Sequence, residues 1–385
     1  MSRPGLVRLA VTLALSLLVA SVLAVVVTRG GRAPSSPPGT GTGATSNSTV
    51  AVRELTADEA GRAFLEAYVD PDGRVVRHDQ GGDTVSEGQA YALLVAVAVR
   101  DQDTFNRVWS WTQTHLLRSD GTLSWRWLDG QVVDESSASD ADLDTARALV
   151  LAGQVFADQA LSTAGSTLGD AVLDVETVQT DIGRILVSGN WATTEPYAYN
   201  PSYASPAAVD VLAKASPDRR WAALAQGTRA ITTQVLANAD LPPDWAQVHA
   251  DGRVDSMPGA AGRGNEGVRY GYDATRMPLR YAESCHPEDV ALAAQLAEPL
   301  ARFTGSAAAR DLGGQPLTED RSVVAIAAQA AVFAAAGDQG AAAAQLVDAD
   351  HLQQQSPTYY GGAWNALGRL ILTDSTLGGC PPLTP

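Results

Sequence analysis

Three kinds of residue are scarce in this 385-residue chain. Cysteine occurs twice, as Cys285 and Cys380, without Cys-x-x-Cys spacing, which argues against a zinc or dithiol redox site. Histidine occurs five times and lysine once, as Lys214, leaving few candidates for chemistry that needs a nitrogen base. Cationic charge is short overall: 27 Lys and Arg stand against 43 Asp and Glu, a formal net charge of -16. A surface of that sign repels phosphate backbones and anionic headgroups, so nucleic acid is excluded as a partner. Also missing are a short internal period, which excludes a solenoid, and any sustained strand-type alternation. An acidic protein can still hold neutral or cationic glycans, because sugars are bound by stacking and hydrogen bonds rather than by net charge.

What is present begins with an apolar N-terminus. Arg3 and Arg8 precede an uncharged run over 9–27, and Arg29 and Arg32 follow it. The run is long enough to cross a bilayer core of roughly 30 Å as a helix. No Ala-x-Ala cleavage site closes it, which favours a retained membrane anchor over a signal peptide for residues 1–29. Either reading implies export, so the expected location is extracellular or the outer face of the cytoplasmic membrane, with the N-terminal segment contacting the bilayer if retained. Residues 30–50 turn to Gly, Ser, Thr and Pro, including Pro34-Ser35-Ser36-Pro37-Pro38, and read as a linker. Asn47-Ser48-Thr49 matches a glycosylation sequon, a triplet frequent by chance. In an exported chain Cys285 and Cys380 can form one disulfide tying the tail to an inner loop; two free thiols are the other reading.

The remaining residues, 51–385, read as one folded domain. Alanine-rich apolar runs at helical spacing recur, over 90–99, 141–157 and 323–336 among others, and predict helix after helix. Loops rich in Gly, Pro, Asp and aromatics separate them, at 118–135, 189–206 and 242–272, and these are the expected seats of function. Short strands or a hairpin are expected at 74–77 and 122–127. The fold class is therefore all-α with minor β additions. So many helices cannot bury their apolar faces in a four-helix bundle, and either a closed ring of paired helices or a multi-layer bundle would serve.

Three segments concentrate chemistry. In Ser86-Glu87-Gly88-Gln89, leading into an apolar helix, Ser86 reads as an N-cap and Gln89 as its capping-box partner. The functional alternative makes Glu87 a desolvated acid that donates a proton, which requires a second carboxylate. In Ser139-Asp140-Ala141-Asp142-Leu143-Asp144-Thr145, the aspartate spacing suggests a calcium loop, but Thr145 replaces the required Gly and Leu151 the closing Glu. Ser139 is the expected N-cap there, and Asp140 and Asp144 share a helical face, where unpaired like charges cost stability and call for a partner. In Tyr270-Gly271-Tyr272-Asp273-Ala274-Thr275-Arg276, Asp273 and Arg276 can pair within one turn beside tyrosines suited to stack on pyranose rings.

Together these segments resemble glycoside hydrolase family 8 in the order Ser-Glu-Gly-Gln, Ala-Ser-Asp-Ala-Asp and Tyr-Asp-Ala-x-Arg. The resemblance spans roughly 72–367, with Thr145 standing where Ile or Met is usual. It implies an (α/α)6 barrel and an inverting, endo-acting hydrolase of β-1,4-glucan that uses no metal or organic cofactor. By position it implies Glu87 as general acid, Asp273 as general base, and Asp140 as the carboxylate that bonds the distorted sugar. Arg276 would orient Asp273 and favour its charged form. Tyr203, in Asn200-Pro201-Ser202-Tyr203, would lie near the catalytic water. Trp125, Trp191 and Tyr272 would stack on sugars, with Trp127 a substitute for Trp125; Tyr359 and Tyr360 are equally well explained as core. The expected partner is a polysaccharide, with a polymer-synthase system as a further candidate partner, and the chain is expected to be a monomer. Chitosan and xylan are alternative substrates, a non-catalytic glycan-binding relative is the rival class, and a lyase would need a Tyr, His or Lys base.

Overall fold

The computed structural model describes residues 53–260, 264 and 267–383. Residues 1–29 and 30–50, read above as export segment and linker, lie outside the described residues, as does the Asn47 sequon. In chain order the helices are α1 (Ala57–Tyr68), α2 (Ser86–Ala98), α3 (Gln102–His115), α4 (Ser139–Val155), α5 (Gln159–Val175), α6 (Pro206–Ala215) and α7 (Arg219–Asn238). Then follow α8 (Met277–Ala282), α9 (Pro287–Ala294), α10 (Ala297–Ala301), α11 (Val323–Ala335), α12 (Gln339–Gln355) and α13 (Tyr359–Thr373).

Their contacts trace a closed ring. α2 packs on α4, α4 on α6, α6 on α8, α8 on α11, α11 on α13, and α13 returns to α2. An outer helix covers each inner one: α3 on α2, α5 on α4, α7 on α6, α9 on α8, α12 on α11, and α1 on α13. Sequence dictates the two layers. Leu93, Leu94, Val95, Ala96 and Val97 of α2 are consecutive and all buried, and a helix without a polar face can only sit inside. α1 is one-sided, burying Ala60, Gly61, Phe64 and Leu65 while Asp58, Arg62 and Glu66 face solvent. Small residues bring the layers close: a Cβ on Gly165 of α5 would lie 2.7 Å from the Ala146 carbonyl of α4. Among the described residues no helix is long and apolar enough to cross a membrane.

Short strands fold the connecting loops. β1 (Thr84–Val85), β2 (Arg126–Leu128) and β3 (Gln131–Asp134) form one antiparallel sheet, and β4 (Thr177–Thr180) pairs with β5 (Gly183–Leu186). β6 (Tyr197–Tyr199), β7 (Trp245–Val248) and β8 (Val254–Met257) form a third sheet. At two to four residues each, they are too short to display an alternating pattern. The expected strand at 74–77 reduces to a single bridge between Val69 and Val75, and within 122–127 only Arg126 and Trp127 enter a strand.

Both N-cap expectations are overturned. α2 and α4 begin at Ser86 and Ser139 themselves, after Val85 and Ala138, and neither has a side-chain cap. Gln89 instead reaches across the fold, accepting from the Val75 amide at 2.6 Å and donating to Thr112 at 2.9 Å. Ser139 donates to the Val187 carbonyl at 2.5 Å. A buried amide or hydroxyl must find a partner, and tertiary neighbours supplied better ones than the helix end did.

A ladder of buried ion pairs joins α4 to the α8 region. Arg276 donates to Asp140 at 2.8 Å, Arg280 grips Asp144 through two contacts of 2.6 Å, and Arg147 holds Glu283 at 2.9 and 2.7 Å. Asp140 and Asp144 thus each have the partner their spacing demanded. Arg147 also donates to the Leu377 carbonyl at 3.0 Å, and the C-terminal segment is fastened beside it by the Cys285–Cys380 disulfide, which settles the cysteine question against free thiols.

Candidate active site

The chemistry gathers at one end of the ring. Glu87 stands in the first turn of α2, Asp140 in the first turn of α4, Tyr203 just before α6, Asp273 and Arg276 just before α8, and Tyr359 and Tyr360 at the start of α13. The N-termini of the inner helices therefore converge there, and their aligned dipoles give that end a positive bias that attracts carboxylates. A cleft of about 570 Å³ opens at this end, lined by Glu87, Tyr91, Tyr272, Asp273, Arg276 and Tyr360 among others.

Arg276 organises the acids. One nitrogen donates to Asp140 at 2.8 Å and to the Tyr91 hydroxyl at 3.0 Å; the other donates to Asp273 at 2.9 Å. Its guanidinium lies 5.3 Å from the centre of the Tyr203 ring, which also packs edge-on against Trp245. Asp273 takes a second hydrogen bond, from Trp245 Nε1 at 3.1 Å, and keeps 35% of its side chain exposed toward the cleft. Burial pushes its pKa up to about 6, Arg276 holding it down and the charges of Asp244 and Asp140 adding to the rise. Asp140 itself is fully buried, and burial raises its pKa against the pull of Arg276 and Arg280.

Glu87 differs in having no ion pair among the described residues. Trp125 Nε1 donates to its Oε1 at 3.3 Å and Ser86 Oγ lies 3.5 Å from its Oε2. Burial raises its pKa to about 7, helped by the Asp140 charge; its backbone hydrogen bond, Arg276 and Arg77 pull the other way and lose. At the start of α2, therefore, desolvation outweighs the helix end. The site holds one carboxyl poised to keep its proton and one held by a cation, the division of labour of an acid and a base.

Of the expected aromatic residues, Trp125 contacts Glu87 and Tyr272 lines the cleft with 45% of its surface exposed. Trp127 is turned away, packed edge-on to Trp111 and beneath Arg74. Trp191 is 41% exposed, donates to the Ser137 carbonyl at 3.2 Å and is not among the residues that line the cleft. Tyr360 donates to the Tyr272 carbonyl at 2.8 Å, and buried Tyr359 lines the cleft, so neither is only core.

Four contributors went unnoticed in the sequence. Tyr91 follows Glu87 by four residues, a spacing that places both on one helical face, and was readable. Trp245 and Asp244, which support Asp273, lie in the long 242–272 loop and carry no local signal. Glu176 is the fourth: buried against Asp142, it accepts from Ser137 at 2.5 Å, while Asp142 accepts from the Leu123 amide at 2.8 Å. Burial raises both carboxyls, Glu176 to about 7, and the pair braces the segments leading to Trp125 and Trp191. Among the described residues no group of three or more His, Cys, Asp or Glu is arranged to hold a metal ion.

A ring of six inner and six outer helices with a carboxylate-lined cleft over the inner N-termini is an (α/α)6 barrel. Comparison with known proteins carries this to a family: the profile described as glycosyl hydrolases family 8 matches residues 44–373, and the chain belongs to that family. It is 32% identical over 227 residues to a probable endoglucanase of Novacetimonas hansenii, covering 57% of this chain and 64% of that protein. It is 29% identical over 245 residues to an endoglucanase of Cellulomonas uda, covering 62% and 66%. The chain thus spans just under two thirds of the length of these curated relatives. Among solved structures it resembles the endo-beta-1,4-glucanase CMCax of Acetobacter xylinum, with TM-score 0.69 and 24% identity over 82% of this chain and 97% of that one. A beta-1,3-1,4-glucanase of Paenibacillus sp. X4 aligns with TM-score 0.73 and 19% identity over 84% and 91%.

Proposed function

We propose that this chain is an inverting, endo-acting hydrolase of β-1,4-glucan. The observation that carries the reading is the contrast between the two carboxyls: Glu87 paired with no cation among the described residues and raised to about 7, Asp273 tied to Arg276 and facing the same cleft. Glu87 gives its proton to the glycosidic oxygen as the bond from that oxygen to the anomeric carbon breaks. A water attacks the carbon from the opposite face and passes its proton to Asp273, so the anomeric configuration inverts and no covalent intermediate forms. Such a pair works at a carboxyl separation of roughly 6.5–9.5 Å, which leaves room for the water. Asp140, expected to bond the sugar at the cleavage point, is fully buried behind Arg276, so here it fixes the guanidinium that holds Asp273 and meets the sugar only if the bound chain moves Arg276 aside. Tyr272, which lines the cleft, and Trp125, which touches Glu87, offer faces for stacking, and exposed Trp191 offers one only to a glycan that extends past the cleft lining. The tyrosines of the cleft do not favour a lyase: burial raises Tyr91, Tyr203, Tyr359 and Tyr360, so none is readily ionised to act as base.

The endoglucanase names of the relatives support β-1,4-glucan; the -16 charge favours cationic chitosan as the second substrate, with xylan third. The disulfide suits an oxidising compartment and supports action outside the cytoplasm. An anchored 1–29 segment would hold the enzyme at the outer membrane face, within reach of a polymer synthase; membrane fractionation and N-terminal sequencing test it. For activity, wild type and Glu87→Gln are incubated with carboxymethylcellulose, chitosan and xylan in parallel, and the first-formed reducing ends are followed by proton NMR. Wild type should cut carboxymethylcellulose fastest with inversion, and Glu87→Gln should fold and bind glycan yet cut nothing. A fully active Glu87→Gln, or retention, overturns the assignment.

A further inference from the structure

The segment that carries Asp273 is held from outside by a residue to which neither the family motifs nor the cleft drew attention. Asp244 lies just before β7, 7% exposed, and its Oδ1 accepts the backbone amides of both Gly271 and Ala274 at 2.9 Å. These amides bracket Asp273 on either side. Its Oδ2 accepts Arg269 Nε at 3.0 Å, and its own amide donates to the Arg269 carbonyl at 2.8 Å. The next residue, Trp245, bonds Asp273 Oδ2 directly. Gly271 fits because Asp244 is so close: a Cβ there would lie 2.8 Å from Asp244 Oδ2.

We propose that Asp244 is the positioning residue of the base, its carboxylate clamping the turn on both sides of Asp273 so that Trp245 and Arg276 can aim that side chain at the water. The inference rests on Asp273 being the base. A carboxylate that accepts two amides fixes a turn more firmly than a neutral side chain would, because charge-assisted hydrogen bonds are the stronger kind. The clamp also carries charge. The groups facing Asp273 are Arg276 on its own turn, Asp140 on α4, Asp244 ahead of β7, and the phenols of Tyr203 and Tyr360; Asp244 is itself faced by Arg269, Tyr270 and Tyr272. The negative charge of Asp244 opposes ionisation of Asp273, so neutralising it must move Asp273 toward easier deprotonation.

The test compares full-length wild type, Asp244→Asn, Gly271→Ala and Asp273→Asn on soluble carboxymethylcellulose, with kcat, KM, the pH profile of kcat/KM and thermal stability read for each. Asp244→Asn should lose kcat by roughly tenfold to a hundredfold, the cost of misplacing a reacting group by a fraction of an ångström to an ångström. KM should change little, and the acid limb of kcat/KM should move to lower pH. Gly271→Ala, which crowds the clamp without altering its charge, should lose kcat with the acid limb in place, and it tests the clamp even if Asp244→Asn fails to fold. A folded Asp244→Asn with wild-type kcat, or with reduced kcat and an unmoved acid limb, overturns the proposal, as does a fully active Gly271→Ala. Failure of the underlying reading looks different: Asp273→Asn would then retain full activity.

Discussion

Glu87 and Asp273 are displaced in the same direction by the same cause, burial, yet the displacement serves opposite tasks. Hydrolysis as proposed needs Asp273 without its proton and Glu87 with it. The rate should therefore fall as pH drops below about 6 and as it rises above about 7, a bell whose limbs are read from kcat/KM. Because the Asp140 charge helps raise Glu87, Asp140→Asn should bring the alkaline limb to lower pH; a profile with no alkaline fall overturns Glu87 as acid. At this scale the sequence disclosed residue types and their local pairs. Asp273 and Arg276 are three apart, and their contact was legible. The second half of the Arg276 bridge, to Asp140, joins residues 136 positions apart, and no local pattern encodes it. Gln89 was misread for the converse reason: Ser-x-x-Gln is a local cap pattern, and the amide of Val75 competed better.

Elements rather than single residues decide how firmly the site is held. The ladder between α4 and the α8 region places Asp140–Arg276 at the cleft and Asp144–Arg280 and Arg147–Glu283 behind it. A buried charge left without its partner costs about 3–5 kcal/mol, whereas an exposed pair contributes under about 1 kcal/mol. Asp144→Ala should therefore lower the unfolding free energy in urea by several-fold more than Asp58→Ala, which frees the exposed Arg62. Equal losses would show that the ladder is not the stronger brace. The inner helices were legible because runs such as 90–99 are apolar on every side. The strands were not, because β1 to β3 are formed by cross-loop pairing over two to four residues, not by propensity.

Across the whole molecule, closure is the dominant constraint. α1 covers α13 from the outer layer while α13 closes the inner ring onto α2, so the first and last described helices pair to complete the barrel, and the disulfide fastens the tail at the C-terminal end of α8. That end is opposite the cleft. Cross-linking residues 95 apart in sequence removes freedom from the unfolded chain, typically about 2–5 kcal/mol. Cys285→Ser with Cys380→Ser should thus lower the thermal midpoint while leaving kcat at 25 °C unchanged; a large loss of kcat would mean that the tail reaches the site.

Taken alone, the sequence determined the all-α class of the folded domain and marked three segments where carboxyls concentrate, because these follow from apolar periodicity and from short motifs whose spacing is local; it left a closed ring and a multi-layer bundle equally open. Only the tertiary structure decided which groups share Arg276, that the two layers close into a ring, which tryptophan turns toward Glu87, that Asp244 bonds the amides on both sides of Asp273, and that burial raises the Glu87 carboxyl. Each depends on desolvation or on contacts between segments far apart in the chain, and those exist only once the ring has closed around them.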